Sequence, residues 1–255
     1  MTATPAQDNI VVARGLTKRF FDFAAVSEVD LTVRRHSIHA LIGPNGAGKT
    51  TTFNLLTKFL PLTSGNILYN GDDITLESPA RLARRGIVRS FQISAIFPLM
   101  SAAENVRIAL QRPSGISFRF WSSKRHLHRF DGRVDELLDA VGLLEYRDRT
   151  AAGLSYGRRR ALELATTLAL EPELMLLDEP TSGLGHEDVD RITSLIRKIS
   201  TNRTILMVEH NLSVVAKLAD TITVLARGKV LAEGSYAQVS GDPRVIEAYI
   251  GGVDD

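Results

Sequence analysis

Apolar positions fall along this chain in two patterns. Leu174-Met175-Leu176-Leu177 and Thr204-Ile205-Leu206-Met207-Val208 are continuous. Short unbroken runs of this kind predict strands of a parallel sheet, buried on both faces. Ile38-His39-Ala40-Leu41-Ile42 predicts another strand. In contrast, Val29-Asp30-Leu31-Thr32-Val33 alternates apolar and polar and, with Ile10-Val11-Val12-Ala13, predicts strands within 9–33. Asn66-Ile67-Leu68-Tyr69 predicts a strand that ends at the turn Asn70-Gly71, and Ile87 to Phe91 a short one that delivers Gln92. The segments 221–225 and 229–232 predict a hairpin around Arg227-Gly228. Helical spacing occupies 104–110, 134–141 (stopped by Gly142) and 161–170. Ser78 precedes a short helix over 79–85 with Pro79 at its first position, and Asp242 caps a last one over 243–250, with Gly251 after its end.

The strand at Ile38 runs into Gly43-Pro44-Asn45-Gly46-Ala47-Gly48-Lys49-Thr50, which opens a helix at Thr51-Thr52-Phe53-Asn54. Strand, glycine-rich turn and helix in this order match G-x-x-x-x-G-K-[ST]. Glycines let successive backbone N–H groups turn toward an anion, and a helix N-terminus adds its free donors and the positive end of its dipole. Lys49 is placed to reach the β- and γ-phosphates of a nucleoside triphosphate and the Thr50 hydroxyl to hold Mg²⁺.

Two buried strands end in polar pairs. The first delivers Asp178-Glu179 to the carboxyl edge of the sheet, where such folds bind ligands. There Asp178 would hold Mg²⁺ through water and Glu179 would act as general base on the attacking water. The second delivers Glu209-His210, whose imidazole either bonds a γ-phosphate or serves the structure. Ser155-Tyr156-Gly157 before a helix offers a capped N-terminus with N–H groups to spare. Of the following Arg158-Arg159-Arg160, the last two read as a solvated helix face.

Composition narrows the class. With 44% hydrophobic and 24% charged residues the chain is an ordinary globular protein, and its net charge of +2 does not argue for nucleic acid. The absence of cysteine excludes disulfides, thiolate metal sites and a cysteine nucleophile. The first residues carry no signal-peptide pattern, and no apolar run is long enough to span a bilayer. Phe20-Phe21-Asp22-Phe23 supplies rings either for the core or for stacking on a purine base. The insert 112–129, with five Lys/Arg, no acid and the single tryptophan, reads as a surface near anionic lipid or a membrane partner, a nucleic-acid patch, or a solvated loop.

Taken in order, the glycine-rich loop, Gln92, Leu154-Ser155-Tyr156-Gly157, Leu174 to Glu179 and His210 resemble the nucleotide-binding subunit of an ABC transporter over nearly the whole chain. The resemblance implies an α/β fold: a P-loop NTPase (RecA-like) core with a mixed sheet, an antiparallel β subdomain and an inserted α-helical subdomain. It divides the single domain into a core with its β subdomain (9–92 and 163–235), a helical subdomain (93–162) and a C-terminal helix (236–255). ATP and Mg²⁺ are the implied cofactors. Residue by residue, Gly43, Asn45, Gly46, Ala47, Gly48, Lys49, Thr50 and Thr51 would hold phosphate, and Phe20 would stack on adenine. Gln92 would sense Mg²⁺ and the transmembrane partner, Ser155 and Gly157 would reach the γ-phosphate on an opposite subunit, and His210 would be the switch histidine. The implied partners are transmembrane permeases, a second ATPase subunit placed head to tail and, indirectly, a periplasmic solute-binding protein; nucleic acid is not among them. The implied location is the cytoplasmic face of the inner membrane.

Within the family, residues 51–57, 88–92, 155–157 and 248–251, together with the long insert, resemble the importers of branched-chain or hydrophobic amino acids, amides and urea. An exporter of lipid or lipopolysaccharide is the nearest rival. Soluble DNA-repair members carry long coiled-coil insertions, and translation factors two ATPase halves; this chain has neither feature. Three positions depart from the family pattern: Arg158 stands for Gln, Gly185 for Asp and His36-Ser37 for Gly-Glu.

Overall fold

The computed structural model describes residues 8–90, 96–112 and 128–250. Phe91, Gln92, most of the basic insert and Gly251 lie outside the described residues.

The strands are β1 (Asn9–Phe20), β2 (Phe23–Arg34), β3 (Ile38–Ile42), β4 (Ser64–Tyr69), β5 (Asp72–Asp73), β6 (Ile87–Ser90), β7 (Leu174–Asp178), β8 (Thr204–Val208), β9 (Thr221–Ala226) and β10 (Lys229–Gly234). They form two sheets, one antiparallel in the order β2-β1-β4-β5 and one mixed in the order β10-β9-β3-β8-β7-β6. All neighbours in the second sheet are parallel except β9 and β10.

The helices are α1 (Lys49–Leu56), α2 (Pro79–Arg84), α3 (Ala102–Gln111), α4 (Asp131–Ala140), α5 (Tyr156–Leu168), α6 (His186–Ser200), α7 (Leu212–Leu218), α8 (Tyr236–Ser240) and α9 (Pro243–Ile250). None of them, among the described residues, is long and apolar enough to cross a membrane.

Alternation along the parallel strands produces two cores. Ile38, Ala40, Ile42, Met175, Leu177, Ile205 and Met207 pack with α3 to α7 on one face of the mixed sheet. Leu41, Leu174, Leu176, Leu206 and Val208 face the antiparallel sheet, and Phe53, Leu55 and Leu56 of α1 fill the space between the two sheets. This burial on both faces is why the parallel strands read as unbroken apolar runs. A polar latch also ties the sheets together: Glu173, just before β7, accepts from Tyr69 Oη at 3.0 Å and Asn70 Nδ2 at 2.9 Å and pairs with Arg35.

Several expectations are corrected. Helix α5 begins at Tyr156 and ends at Leu168, rather than covering 161–170. Arg160 is not on a solvated face, because its guanidinium bonds Glu163 at 3.0 Å and Tyr156 Oη at 2.8 Å. Phe20 to Phe23 form the β1–β2 hairpin tip, with Phe21 at φ 53° and fully exposed, so these rings are not core filling. Residues 236–250 form two helices, the first opened by a capping box of Ser235 and Gln238. His36 adopts φ 52°, which accounts physically for glycine being the easier residue at that point.

Candidate functional site

Register aligns the site. Asp178 pairs with Val208, and Val208 with Leu41, so the ends of β7, β8 and β3 lie level. The residues that follow are therefore side by side on one edge: Asp178-Glu179, Glu209-His210 and the loop from Gly43. Neighbouring strands are about 4.8 Å apart, so three sequence-distant segments converge within one ligand's width.

The loop's shape depends on its glycines and on β9–β10. Gly43 and Gly48 adopt φ 148° and 98°. A Cβ on Gly43 would collide with the Leu225 carbonyl, and one on Gly48 would sit 2.7 Å from the Ala25 carbonyl. The hairpin turn at Gly228 pins the loop from outside, its N–H donating to Ala47 O at 3.0 Å while its carbonyl accepts from Ser27 N at 2.8 Å. Gly48 is also the N-cap of α1, and the first turn of that helix holds no acid. The donors at this helix end therefore suit an anion. Lys49 folds back over the loop, Nζ donating to the carbonyls of Gly43 at 2.7 Å and Pro44 at 2.9 Å. Burial lowers the Lys49 ammonium pKa below its ordinary value, and the Glu179 carboxylate partly offsets that shift. Ala47 is buried, while Asn45, Gly46 and Thr50 are exposed and Thr51 is half-buried.

Glu179 adopts φ 48°, uncommon for a side-chain-bearing residue, and its N–H donates to Val208 O at 2.9 Å. His210 Nδ1 lies 3.8 Å from Glu179 Oε1. Behind them is Glu209, fully buried, which accepts from the Thr181 hydroxyl and from the His210 N–H at 3.0 Å. Sequence reasoning gave Glu209 no role; an acid after a strand reads as solvated until its partners are placed. Nor does the sequence single out Arg89, whose guanidinium bonds Asp178 Oδ2 at 2.6 Å.

The donors available for a cation are oxygens: the Thr50 hydroxyl and the Asp178 carboxylate, whose Oδ1 accepts no hydrogen bond from a described residue. Among the described residues no group of three or more His, Cys, Asp or Glu could hold a metal alone. One carboxylate and one hydroxyl on the phosphate side fit Mg²⁺, which keeps waters and binds phosphate oxygens rather than occupying an all-protein cage.

Ser155 and Gly157 are not part of this cluster. Ser155 caps α5, accepting from Arg158 N at 3.4 Å, and Gly157 is packed against the Asp188 carboxylate. Among the described residues, no hydrogen bond or ion pair joins either to the phosphate loop, Glu179 or His210. Phe20 is half-exposed, with Lys18 Nζ 5.1 Å from its ring centre, on the hairpin whose Ala25 abuts Gly48. Gln92 lies outside the described residues.

A glycine-built phosphate loop level with strand-end acids defines a P-loop nucleoside triphosphatase. Comparison with known proteins narrows the class. The profile described as ABC transporter matches residues 26–182, and that described as Branched-chain amino acid ATP-binding cassette transporter matches 229–255. The chain is 37% identical, over 95% of its length and 98% of the other, to the high-affinity branched-chain amino acid transport ATP-binding protein BraF of Pseudomonas aeruginosa. It is 36% identical, with the same coverages, to the corresponding LivG of Escherichia coli. A crystal structure of an ABC transporter's ATP-binding cassette in its ADP conformation superposes with a TM-score of 0.84 at 29% identity, covering 95% of this chain and 99% of that one. The chain belongs to the ABC transporter family, as one of its ATP-hydrolysing cassettes.

Proposed function

We propose that this chain powers an importer of branched-chain or related hydrophobic amino acids, or of amides, through ATP-driven closure against a second cassette. The observation that carries the reading is the alignment of the phosphate loop, Asp178-Glu179 and His210 on one sheet edge while Ser155 and Gly157 stand apart from it. The substrate class is supported by the names of the similar ATP-binding proteins and by the C-terminal match.

In this reading the N–H groups of Gly46 to Thr51 and the ammonium of Lys49 bind the β- and γ-phosphates, Lys49 leaving the carbonyls it now bonds. Asn45 and Ala47 complete the loop and Phe20 stacks on adenine. Thr50 and Asp178 would hold Mg²⁺, with Gln92 joining them, and the chemistry it would supply is neutralisation of charge on the phosphate oxygens. Glu179 takes a proton from the attacking water and His210 orients the γ-phosphate side. Ser155 and Gly157 serve the site of the opposite subunit, so triphosphate favours the closed pair and its hydrolysis releases it. In the assembly this chain sits peripherally at the cytoplasmic face of the inner membrane, bound to transmembrane permeases, with a periplasmic solute-binding protein acting through them.

The test is to recover what accompanies a tagged Glu179→Gln chain from gently solubilised membranes in the presence of ATP. Two polytopic permeases and a second cassette are expected. Recovery of soluble partners alone would overturn the transport reading and leave the ATPase chemistry standing.

A further inference from the structure

Arg89 occupies an unusual position for a cation. It lies on β6, three residues before Gln92, and its side chain is only 7% exposed. Nη2 donates to Asp178 Oδ2 at 2.6 Å, while Nη1 donates to Asn54 Oδ1 at 2.6 Å and to Thr57 Oγ1 at 3.3 Å. The guanidinium carbon is 5.0 Å from the ring centre of Phe53 and 5.5 Å from that of Phe59. Phe53, Asn54 and Thr57 belong to α1 and its C-cap and Phe59 to the turn that follows, so one side chain joins the helix that begins at the phosphate loop to the acid at the end of β7.

Each contact uses a property specific to arginine. The planar fork gives two directed donors to partners on different elements, and its flat face stacks on aromatic rings, which hold it in place. A buried carboxylate needs a partner for its charge, and Asp178 has this one through a single oxygen. Its Oδ1 accepts no hydrogen bond from a described residue. Arg89 thus fixes where the second oxygen points and ties that direction to α1.

We propose that Arg89 is a positioning residue for the Mg²⁺ site: it holds the Asp178 carboxylate in register with the phosphate-loop helix. This rests on the reading of Asp178 as the metal-side carboxylate. Since β6 leads into Gln92, displacement of that strand would act on Asp178 directly through the same guanidinium. Groups that orient a metal-binding carboxylate from behind are commonly worth 10- to 100-fold in metal affinity.

The test uses the full chain and a fluorescent ATP analogue, titrated with Mg²⁺ and compared with binding in chelator. Arg89→Lys keeps the charge but not the fork. The expected result is a Mg²⁺ midpoint about tenfold higher with nucleotide affinity in chelator unchanged. In an Asp178→Asn background the same substitution should no longer shift the midpoint. Asn54→Ala, which removes the second anchor and leaves the ion pair, should shift it in the same direction by about threefold; it serves as the test if Arg89→Lys does not fold. An unchanged midpoint, a parallel loss in chelator, or a shift that persists with Asp178→Asn would overturn the proposal. If Asp178→Asn alone leaves the midpoint unmoved, it is the site reading that fails.

Discussion

The imidazole of His210 faces the carboxylate of Glu179, Nδ1 to Oε1, at 3.8 Å. What fixes that arrangement is Glu209, buried beneath both and bonded to the Thr181 hydroxyl and to the backbone N–H of His210. Glu209→Ala would leave a buried hydroxyl and an N–H unpaired, at a cost of about 1–3 kcal/mol. We expect a lower urea midpoint together with reduced ATP turnover. Glu209→Gln keeps acceptor capacity and should lose less of both. Wild-type turnover in a destabilised Glu209→Ala chain would separate Glu209 from the site.

Gly48→Ala tests the loop. The substitution adds a Cβ 2.7 Å from the Ala25 carbonyl at a φ of 98°. A position with no room and a conformation that disfavours side chains should lose about 1–3 kcal/mol of stability and most nucleotide binding. Gly46→Ala meets no atom within 4 Å, although its φ is 76°. It should bind nucleotide more tightly than Gly48→Ala by direct titration.

Ser155→Ala should separate binding from hydrolysis. Because Ser155 is away from the phosphate loop of its own chain, nucleotide affinity of the isolated chain should stay within about twofold, while turnover in the membrane assembly falls by tenfold or more, as loss of a transition-state contact requires. The cap it provides to α5 adds a stability cost of about 1 kcal/mol, read separately by thermal unfolding.

His39 makes stability fall with acidity. Its Nε2 is 2.8 Å from Thr223 Oγ1, and that hydroxyl donates to Glu233 at 2.6 Å, so Nε2 carries the proton and donates. Burial pushes the folded-state pKa down from 6.5 to about 4. The unfolded chain therefore binds the proton first. The contribution is intact above about pH 6.5 and is lost as pH falls toward about 4, reaching roughly 3 kcal/mol. Urea midpoints from pH 8 to pH 4 should fall more steeply for the parent than for His39→Gln.

The elements that local sequence sets are legible in it. The phosphate loop can be read because its glycines serve backbone angles that neighbouring residues define, and β7 and β8 because burial on both faces leaves 174–177 and 205–208 wholly apolar. The long helix α6 is not among the predicted elements, although the spacing of Val189, Ile192, Ile196 and Ile199 carries a helical signal. The start of α5 is not legible because Arg159 and Arg160 read as solvent-facing, whereas the Arg160 guanidinium pairs with Glu163 within the helix. Arg89 with Asp178, and Thr181 with Glu209, are 89 and 28 residues apart. No periodicity marks such pairs, because the fold alone brings them together.

The most direct measurement is ATP hydrolysis by the Glu179→Gln chain within its membrane assembly, with nucleotide affinity determined on the same sample. A positioned general base contributes about 10²- to 10⁴-fold, so turnover should fall at least about a hundredfold while affinity stays within about twofold. Hydrolysis at the parent rate with ATP bound normally would contradict the account.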